Sequence, residues 1–143
     1  MGKPLKIAQI APLYEAVPPK LYGGTERVVA HLTDTLVHLG HEVTLFAAAD
    51  ACTKAELVGV RDQSIRLDAA LLKSDLAAHL TMLYEVKRRA QQFDVLHFHI
   101  DMLHFIMFEQ LAHKTCAHQI LFRTAVEFTA RQHDGHDGHE PFY

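Results

Sequence analysis

The first third of the chain has a segment order that few folds can accommodate. Residues 5–11 (LKIAQIA) form an apolar run without strict alternation, which predicts a strand covered on both faces. Residues 12–24 hold three prolines and two glycines, which exclude both a helix and a central strand. An amphipathic pattern from Thr25 predicts a helix ending at Gly40, and residues 42–48 predict a second strand. The unit is therefore βαβ, with a right-handed parallel crossover.

Strands and helices continue to alternate, less clearly, to about residue 115. It predicts a short strand within residues 55–67, a helix from the N-cap Ser74 to about Gln91, a strand at 93–98 and a buried helix at 103–112. Residues 116–122 (CAHQILF) are compatible with a fifth strand. One face of the second helix is predicted to carry Leu76, Leu80, Leu83, Tyr84 and Lys87. The chain as a whole is typical of an open α/β sheet.

The composition of the chain limits which partners it can bind and in which cellular compartment it is expected. The 143 residues suit one domain, and a formal charge of −3 with no long basic run argues against a nucleic-acid partner. Cys52 and Cys116 are far apart and form no C-x-x-C, so neither a disulfide framework nor a redox motif is indicated. No apolar run reaches the roughly 20 residues that span a bilayer. We therefore expect a cytoplasmic protein without a transmembrane segment.

Gly23, Gly24 and Thr25 stand where the long loop meets the first predicted helix. Glycines allow close approach of the backbone, and a helix N-terminus offers unpaired N–H groups and positive dipole, an arrangement that holds phosphate. An ordinary glycine pair before a helix is the alternative. The chain contains neither the dinucleotide pattern G-x-G-x-x-G nor a Walker loop, so NAD binding and P-loop chemistry are not expected.

A second candidate site lies at the end of the strand predicted at 93–98. His97, His99 and Asp101 stand there, and ligands of open parallel sheets bind beyond the carboxyl ends of the strands. Strand geometry places the two histidines on one face. The alternative is that neighbouring carbonyl groups satisfy both imidazoles.

A third group of candidate ligands lies in the tail HDGHDGHE. Imidazole is a common metal ligand, but glycines between His133, His136 and His139 give no rigid geometry, so a metal site is the weakest of these hypotheses. The spacing of the remaining residues indicates neither a paired acid and base nor a catalytic triad, so no catalytic residue is assigned.

Two segments together resemble one family. PPKLYGGTERVV at residues 18–29, followed by HFHID at 97–101, is similar to the amino-terminal domain of family 4 glycosyltransferases of the GT-B fold. The resemblance implies a single Rossmann-like domain at residues 1–114, with an open, mostly parallel sheet and helices on both faces. Residues 115–143 then form a divergent segment. In this family, two such domains face a cleft and transfer a hexosyl group with retention from a nucleotide diphosphate sugar, without an obligatory metal or other cofactor.

The resemblance also implies roles for the two candidate sites. Gly23, Gly24 and Thr25 would approach the donor diphosphate, and His97, His99 and Asp101 would contact the acceptor. His118 does not align with the family's T-x-H-G histidine, so that role is not transferred to it. The family's carboxyl-terminal, donor-binding domain has no counterpart before Tyr143, which suggests a truncated product.

We therefore expect the acceptor-side half of a nucleotide-sugar-dependent glycosyltransferase, inactive alone and using a sugar or another hydroxyl compound as acceptor. Its partners would include a complementary domain or a second copy. The first alternative is a non-catalytic binding module of the same fold. The second is a histidine-rich metal-binding protein.

Overall fold

The structure, a computed structural model, describes residues 2–70 and 74–117 and is built around one five-stranded sheet. The strands in chain order are β1 (Lys6–Ile10), β2 (Glu42–Ala47), β3 (Glu56–Gly59), β4 (Val95–Phe98) and β5 (Thr115–Ala117). All pairings are parallel, and the order across the sheet is β3-β2-β1-β4-β5. The predicted open, Rossmann-like α/β sheet is thus confirmed.

Helices cover both faces of the sheet, as predicted. They are α1 (Gly24–His38), α2 (Asp75–Arg89) and α3 (Leu103–Phe108), with 3₁₀ turns at Ile65–Leu67, Ala90–Gln92 and Glu109–Lys114. On one face, Val29 of α1 packs with Leu45 and Ala47 of β2. On the other face, Met82 of α2 and Phe108 of α3 belong to a larger core with side chains of β1, β2 and β4. Two separate apolar layers therefore stabilise the sheet.

β1 is the central strand, and its sequence explains why. Residues 7–10 are all buried, because both faces of the strand lie beneath helices. Ile10 pairs in register with Phe46 of β2 and with Phe98 of β4. The apolar run without alternation that predicted this strand is the pattern that such a position requires.

Gly40 ends the first helical region in a conformation that favours glycine. Its φ is +89°, and its N–H donates to Val37 O at 3.0 Å. We expect Gly40→Ala to lower the free energy of unfolding by about 1–2 kcal/mol, because a Cβ is disfavoured in left-handed backbone. Urea denaturation would measure this loss. The control is Gly24→Ala, where a Cβ meets nothing within 4 Å and no positive φ is involved. Equal losses in both variants would contradict this explanation.

The predicted second helix exists, but of the apolar residues on its predicted face only Leu83 is buried. Ser74 is the N-cap as expected, and its Oγ accepts from the Ala77 N–H at 3.1 Å. The residues that α2 buries are His79, Met82, Leu83 and Val86, whereas Leu76, Leu80 and Tyr84 are exposed. The buried face of α2 differs from the predicted face because it includes His79, which hydropathy counts as polar.

The predicted buried helix at residues 103–112 is also wrong in length and burial. α3 ends at Phe108, and the chain continues as a 3₁₀ turn that includes non-helical backbone at Leu111. His104 and Phe108 face inward, while Ile106 is 88% exposed. Aromatic stacking of His104 on Phe98 fixes which side of this short helix faces the sheet.

The structure describes only the first part of the fifth strand expected at 116–122. β5 covers Thr115–Ala117, and residues 118–143 lie outside the described residues. The interpretations that concern His118, the histidine tail and the divergent segment after β5 therefore fall there. Within residues 2–70 and 74–117, the structure contains no helix that is both long and apolar enough to cross a membrane.

Candidate functional site

A cavity of about 390 Å³ opens at the carboxyl end of the sheet. Its lining comes from the loop after β1, the N-terminal turns of α1 and α2, the 3₁₀ turn at Ile65–Leu67 and the loop after β4. The chain leaves β1 and β4 toward opposite faces, which makes the gap between these two strands a topological switch point. The cavity thus occupies the place where open α/β sheets bind ligands.

The glycine-containing end of α1 forms part of this lining. Gly23, Gly24 and Thr25 all line the cavity, and the N-cap Gly23 supplies no side-chain hydrogen bond. A Cβ on Gly24 would meet nothing within 4 Å, so this backbone is open to a ligand. A Cβ on Gly23 would lie 2.6 Å from Glu26 Oε2 and 3.0 Å from Pro19 Cβ. Gly23 is therefore required for close packing, and Gly24 leaves space.

Glu26 is a buried acid in the first turn of α1, directly after the candidate residues Gly23, Gly24 and Thr25. It lines the cavity although the residue is only 6% exposed. Burial raises the pKa of its carboxyl group, whereas a hydrogen bond from its own backbone N–H and the nearby Arg66 lower it. An acid at this position is favourable for the helix dipole. It also places a carboxyl group beside the proposed phosphate site.

The strand-end candidates divide into two groups in the structure. His99 and Asp101 line the cavity, and His97 does not. The buried His99 has Nε2 at 2.6 Å from Gln9 Oε1, so this nitrogen donates to the amide oxygen on the adjacent strand. The His97 ring lies 4.1 Å from the His99 ring, measured between centroids. His99 is thus held in place by β1, and the side chain of His97 packs against it.

A polar network on the cavity wall was missed entirely by the sequence analysis. The Tyr14 hydroxyl donates to Asp75 Oδ2 at 3.0 Å, and the Arg66 guanidinium lies over the Tyr14 ring at 5.8 Å. Arg66 Nη1 is 3.2 Å from Oε1 of Glu15, whose side chain is only 3% exposed. The lone cation of this network is therefore already paired with a buried carboxylate.

The titration properties of the network follow from these contacts. Burial raises the pKa of the Tyr14 hydroxyl, and the hydrogen bond to Asp75 raises it further. The same hydrogen bond lowers the pKa of Asp75. Tyr14 thus remains a neutral donor and Asp75 remains an ionised acceptor over the neutral pH range.

His79 connects the loop after β1 to α2. The Leu13 N–H donates to His79 Nε2 at 3.1 Å, and His79 Nδ1 lies 2.8 Å from the Asp75 carbonyl oxygen. Since a carbonyl can only accept, Nδ1 carries the proton and Nε2 accepts. The imidazole is therefore a buried structural link in its neutral form, and it fixes the loop that carries Tyr14.

Among residues 2–70 and 74–117, no three or more His, Cys, Asp or Glu side chains are grouped so that they could hold a metal ion. Cys52 and Cys116 are both free and exposed.

Comparisons with known proteins give a family and a structural neighbour. The family model described as Glycosyltransferase Family 4 matches residues 22–123, most of the chain. No curated protein matches the sequence. A crystal structure of AviGT4, a glycosyltransferase involved in avilamycin A biosynthesis, matches at 29% identity with a TM-score of 0.44. The match covers 71% of this chain and 29% of AviGT4, so the chain spans less than a third of that enzyme.

Proposed function

Because this chain belongs to glycosyltransferase family 4, we propose that its cavity binds the two substrates of nucleotide-sugar-dependent glycosyl transfer. In this proposal a hexosyl group passes with retention from a nucleotide diphosphate sugar to a hydroxyl group of the acceptor. The chain provides the acceptor-side wall of the site. The proposal requires no metal ion and no other cofactor.

One observation carries the proposal: residues from two sites predicted separately from the sequence lie in one cavity. The open backbone of Gly24 and Thr25 at the start of α1 lines it together with His99 and Asp101 after β4. The first pair offers N–H groups and helix dipole to the donor phosphates. The second pair offers an imidazole and a carboxylate to an acceptor hydroxyl. His97 would serve only to support His99.

The charge of the cavity lining also supports the expectation that this chain alone catalyses little glycosyl transfer. Arg66 is the single lysine or arginine that lines the cavity among the described residues, and Glu15 is its ion-pair partner. A departing nucleoside diphosphate needs its developing charge stabilised in the transition state. We therefore propose that groups outside the described cavity lining supply most of the positive charge that stabilises the departing nucleoside diphosphate.

The proposal is tested by titrating the ¹⁵N-labelled chain with uridine, guanosine and adenosine diphosphate sugars. We expect one nucleotide class to shift the amide signals of Gly24 and Thr25. Gly24→Val should weaken that binding by about 10- to 100-fold, because hydrogen bonds to charged groups contribute about 1.5–3 kcal/mol each. The fold should survive, since a Cβ at Gly24 has free space.

Gly2→Val is the matched control, because Gly2 also has free space around a Cβ and does not line the cavity. Two results would contradict the phosphate role of α1: equal nucleotide affinity in the Gly24→Val variant, or shifts confined to residues away from α1. A folded chain that responds to no nucleotide would favour the non-catalytic binding module instead.

A further inference from the structure

The cavity lining contains more negative than positive charge. Glu26, Asp75 and Asp101 contribute carboxyl groups, and Arg66 contributes the one guanidinium among the described residues. Arg66 is itself 3.2 Å from the buried carboxylate of Glu15. A ligand that enters the cavity therefore meets a surplus of carboxylates without an unpaired lysine or arginine in the described lining.

Three of the lining residues, Tyr14, Asp75 and Asp101, form what we call the acidic wall. Tyr14 connects its members: its hydroxyl donates to Asp75 Oδ2, and Asp101 acts on it through charge. The wall is close to Arg66, whose guanidinium lies over the Tyr14 ring. The side chains of the wall come from the β1–α1 loop, the start of α2 and the β4–α3 loop, so the fold brings them together from three separate segments.

Asp75 is oriented as a hydrogen-bond acceptor for a ligand. Its Oδ2 accepts from Tyr14 at 3.0 Å, and its Oδ1 accepts from the Leu76 N–H at 2.8 Å. An ionised carboxylate has about four lone-pair sites. The two contacts fix the carboxylate and leave acceptor capacity on a side chain that lines the cavity.

This wall suits hydroxyl and ammonium groups and opposes anions. Hydroxyl groups donate to ionised carboxylates in charge-assisted hydrogen bonds. The rings of Tyr14 and the 81% exposed Tyr22, which also line the cavity, offer flat apolar surface beside the polar groups. A phosphate or carboxylate placed against the acidic wall, rather than at the start of α1, would instead face like charges.

We propose that the acceptor is a polyhydroxylated compound without negative charge, an uncharged or amino-bearing sugar or cyclitol, and that Asp75 held by Tyr14 determines this selectivity. The inference rests on the proposed function, since it takes the acidic wall as the acceptor part of the cavity and leaves the start of α1 to the donor phosphates. It adds the charge class of the acceptor and two specificity-determining residues.

The test is a charge series on one sugar skeleton: glucosamine, glucose and glucuronate, each titrated at low salt into the ¹⁵N-labelled chain. We expect the amides of Tyr14 and Leu76 to shift, with affinity falling in that order. Glucosamine should bind at least about tenfold more tightly than glucuronate, because the ammonium group is attracted by the carboxylates of the wall and the carboxylate of glucuronate is repelled. The difference should shrink at high salt, where exposed charges are screened.

Asp75→Asn supplies the decisive variant, since it keeps the shape of the side chain and removes its charge. We expect the preference for glucosamine over glucuronate to fall to about threefold or less in this variant. Asp62→Asn is the control, because it changes net charge equally at an exposed residue outside the cavity lining. It should leave the tenfold preference intact.

Three outcomes would overturn the inference: glucuronate binding as tightly as glucosamine, an undiminished preference in Asp75→Asn, or no shift at the wall with any of the three sugars at tens of millimolar. If nucleotide sugars still shift Gly24 in these cases, only the acceptor inference fails. If the charge order holds but no nucleotide binds, the transferase proposal fails and a sugar-binding module remains.

Discussion

Phe98→Ala is expected to lower the free energy of unfolding by about 3–5 kcal/mol, the range for removing a fully buried aromatic side chain. Phe98 ends β4 in register with Ile10 of the central strand and has no exposed surface. Its ring stacks on His104 with centroids 4.4 Å apart and contacts Phe108 at 4.9 Å. The substitution therefore removes the contact that joins α3 to the sheet. Urea denaturation followed by circular dichroism measures the loss.

Phe105→Ala is the matched control for this prediction. Phe105 lies on α3, next to the His104 ring against which Phe98 stacks, but Phe105 is 43% exposed. We expect its loss to cost about 1 kcal/mol or less, as is usual for partly exposed positions. Similar losses at Phe98 and Phe105 would show that the core beneath α3 does not depend on aromatic packing.

His79→Leu is expected to destabilise the protein by about 1–3 kcal/mol despite conserving most of the volume, because it leaves the buried Leu13 N–H without an acceptor. The Asp75 carbonyl also loses its contact with Nδ1. The loop after β1 should then loosen, and the amide signals of Leu13 and Tyr14 should broaden or exchange faster. Chemical denaturation and amide hydrogen exchange measure the two effects.

A second buried histidine provides the comparison for His79. His104 Nδ1 donates to the Asp101 carbonyl oxygen at 3.1 Å, but the buried Nε2 of His104 has no hydrogen-bond partner. His104→Leu should therefore cost less than His79→Leu, since it also removes an unsatisfied polar atom. A larger loss at His104 would contradict the role of the Leu13 bond.

His104→Leu should also change how the stability of the protein depends on pH. Burial lowers the pKa of His104 below its ordinary value. The unfolded chain then binds a proton more readily than the folded chain, so stability falls as pH drops through about 6.5. His104→Leu should remove this part of the acid sensitivity, which denaturation at a series of pH values would reveal.

The sequence predicted best the features that depend on neighbouring residues. The apolar run of β1, the N-cap Ser74 and the stop at Gly40 each depend on local chemistry, and the structure has all three. The meeting of Gly24 with His99 and Asp101 was also predictable in outline, because carboxyl ends of parallel strands share one edge of the sheet. Local pattern together with one topological rule accounts for this half of the candidate site.

The remaining half depends on contacts between segments distant in sequence. Tyr14, Arg66 and Asp75 come from a proline-rich loop, a 3₁₀ turn and a helix start, and none of these positions has a periodicity to mark it. His79 misled the assignment of the helix face, because only its two backbone partners make it compatible with burial. Hydropathy alone could not anticipate partners supplied by another part of the chain.

The position of β1 at the centre of the sheet has a consequence for synthesis. This strand leaves the ribosome before the other four strands of the sheet, and residues 11–94 must follow before β4 can pair with it. Until then, the βαβ unit of β1, α1 and β2 has an open, apolar strand edge, the type of edge that associates with other chains. Pairing across such a sequence separation is slow. Productive folding of this chain thus requires that one edge of β1 stays free of other chains until β4 has been synthesised and can pair with it.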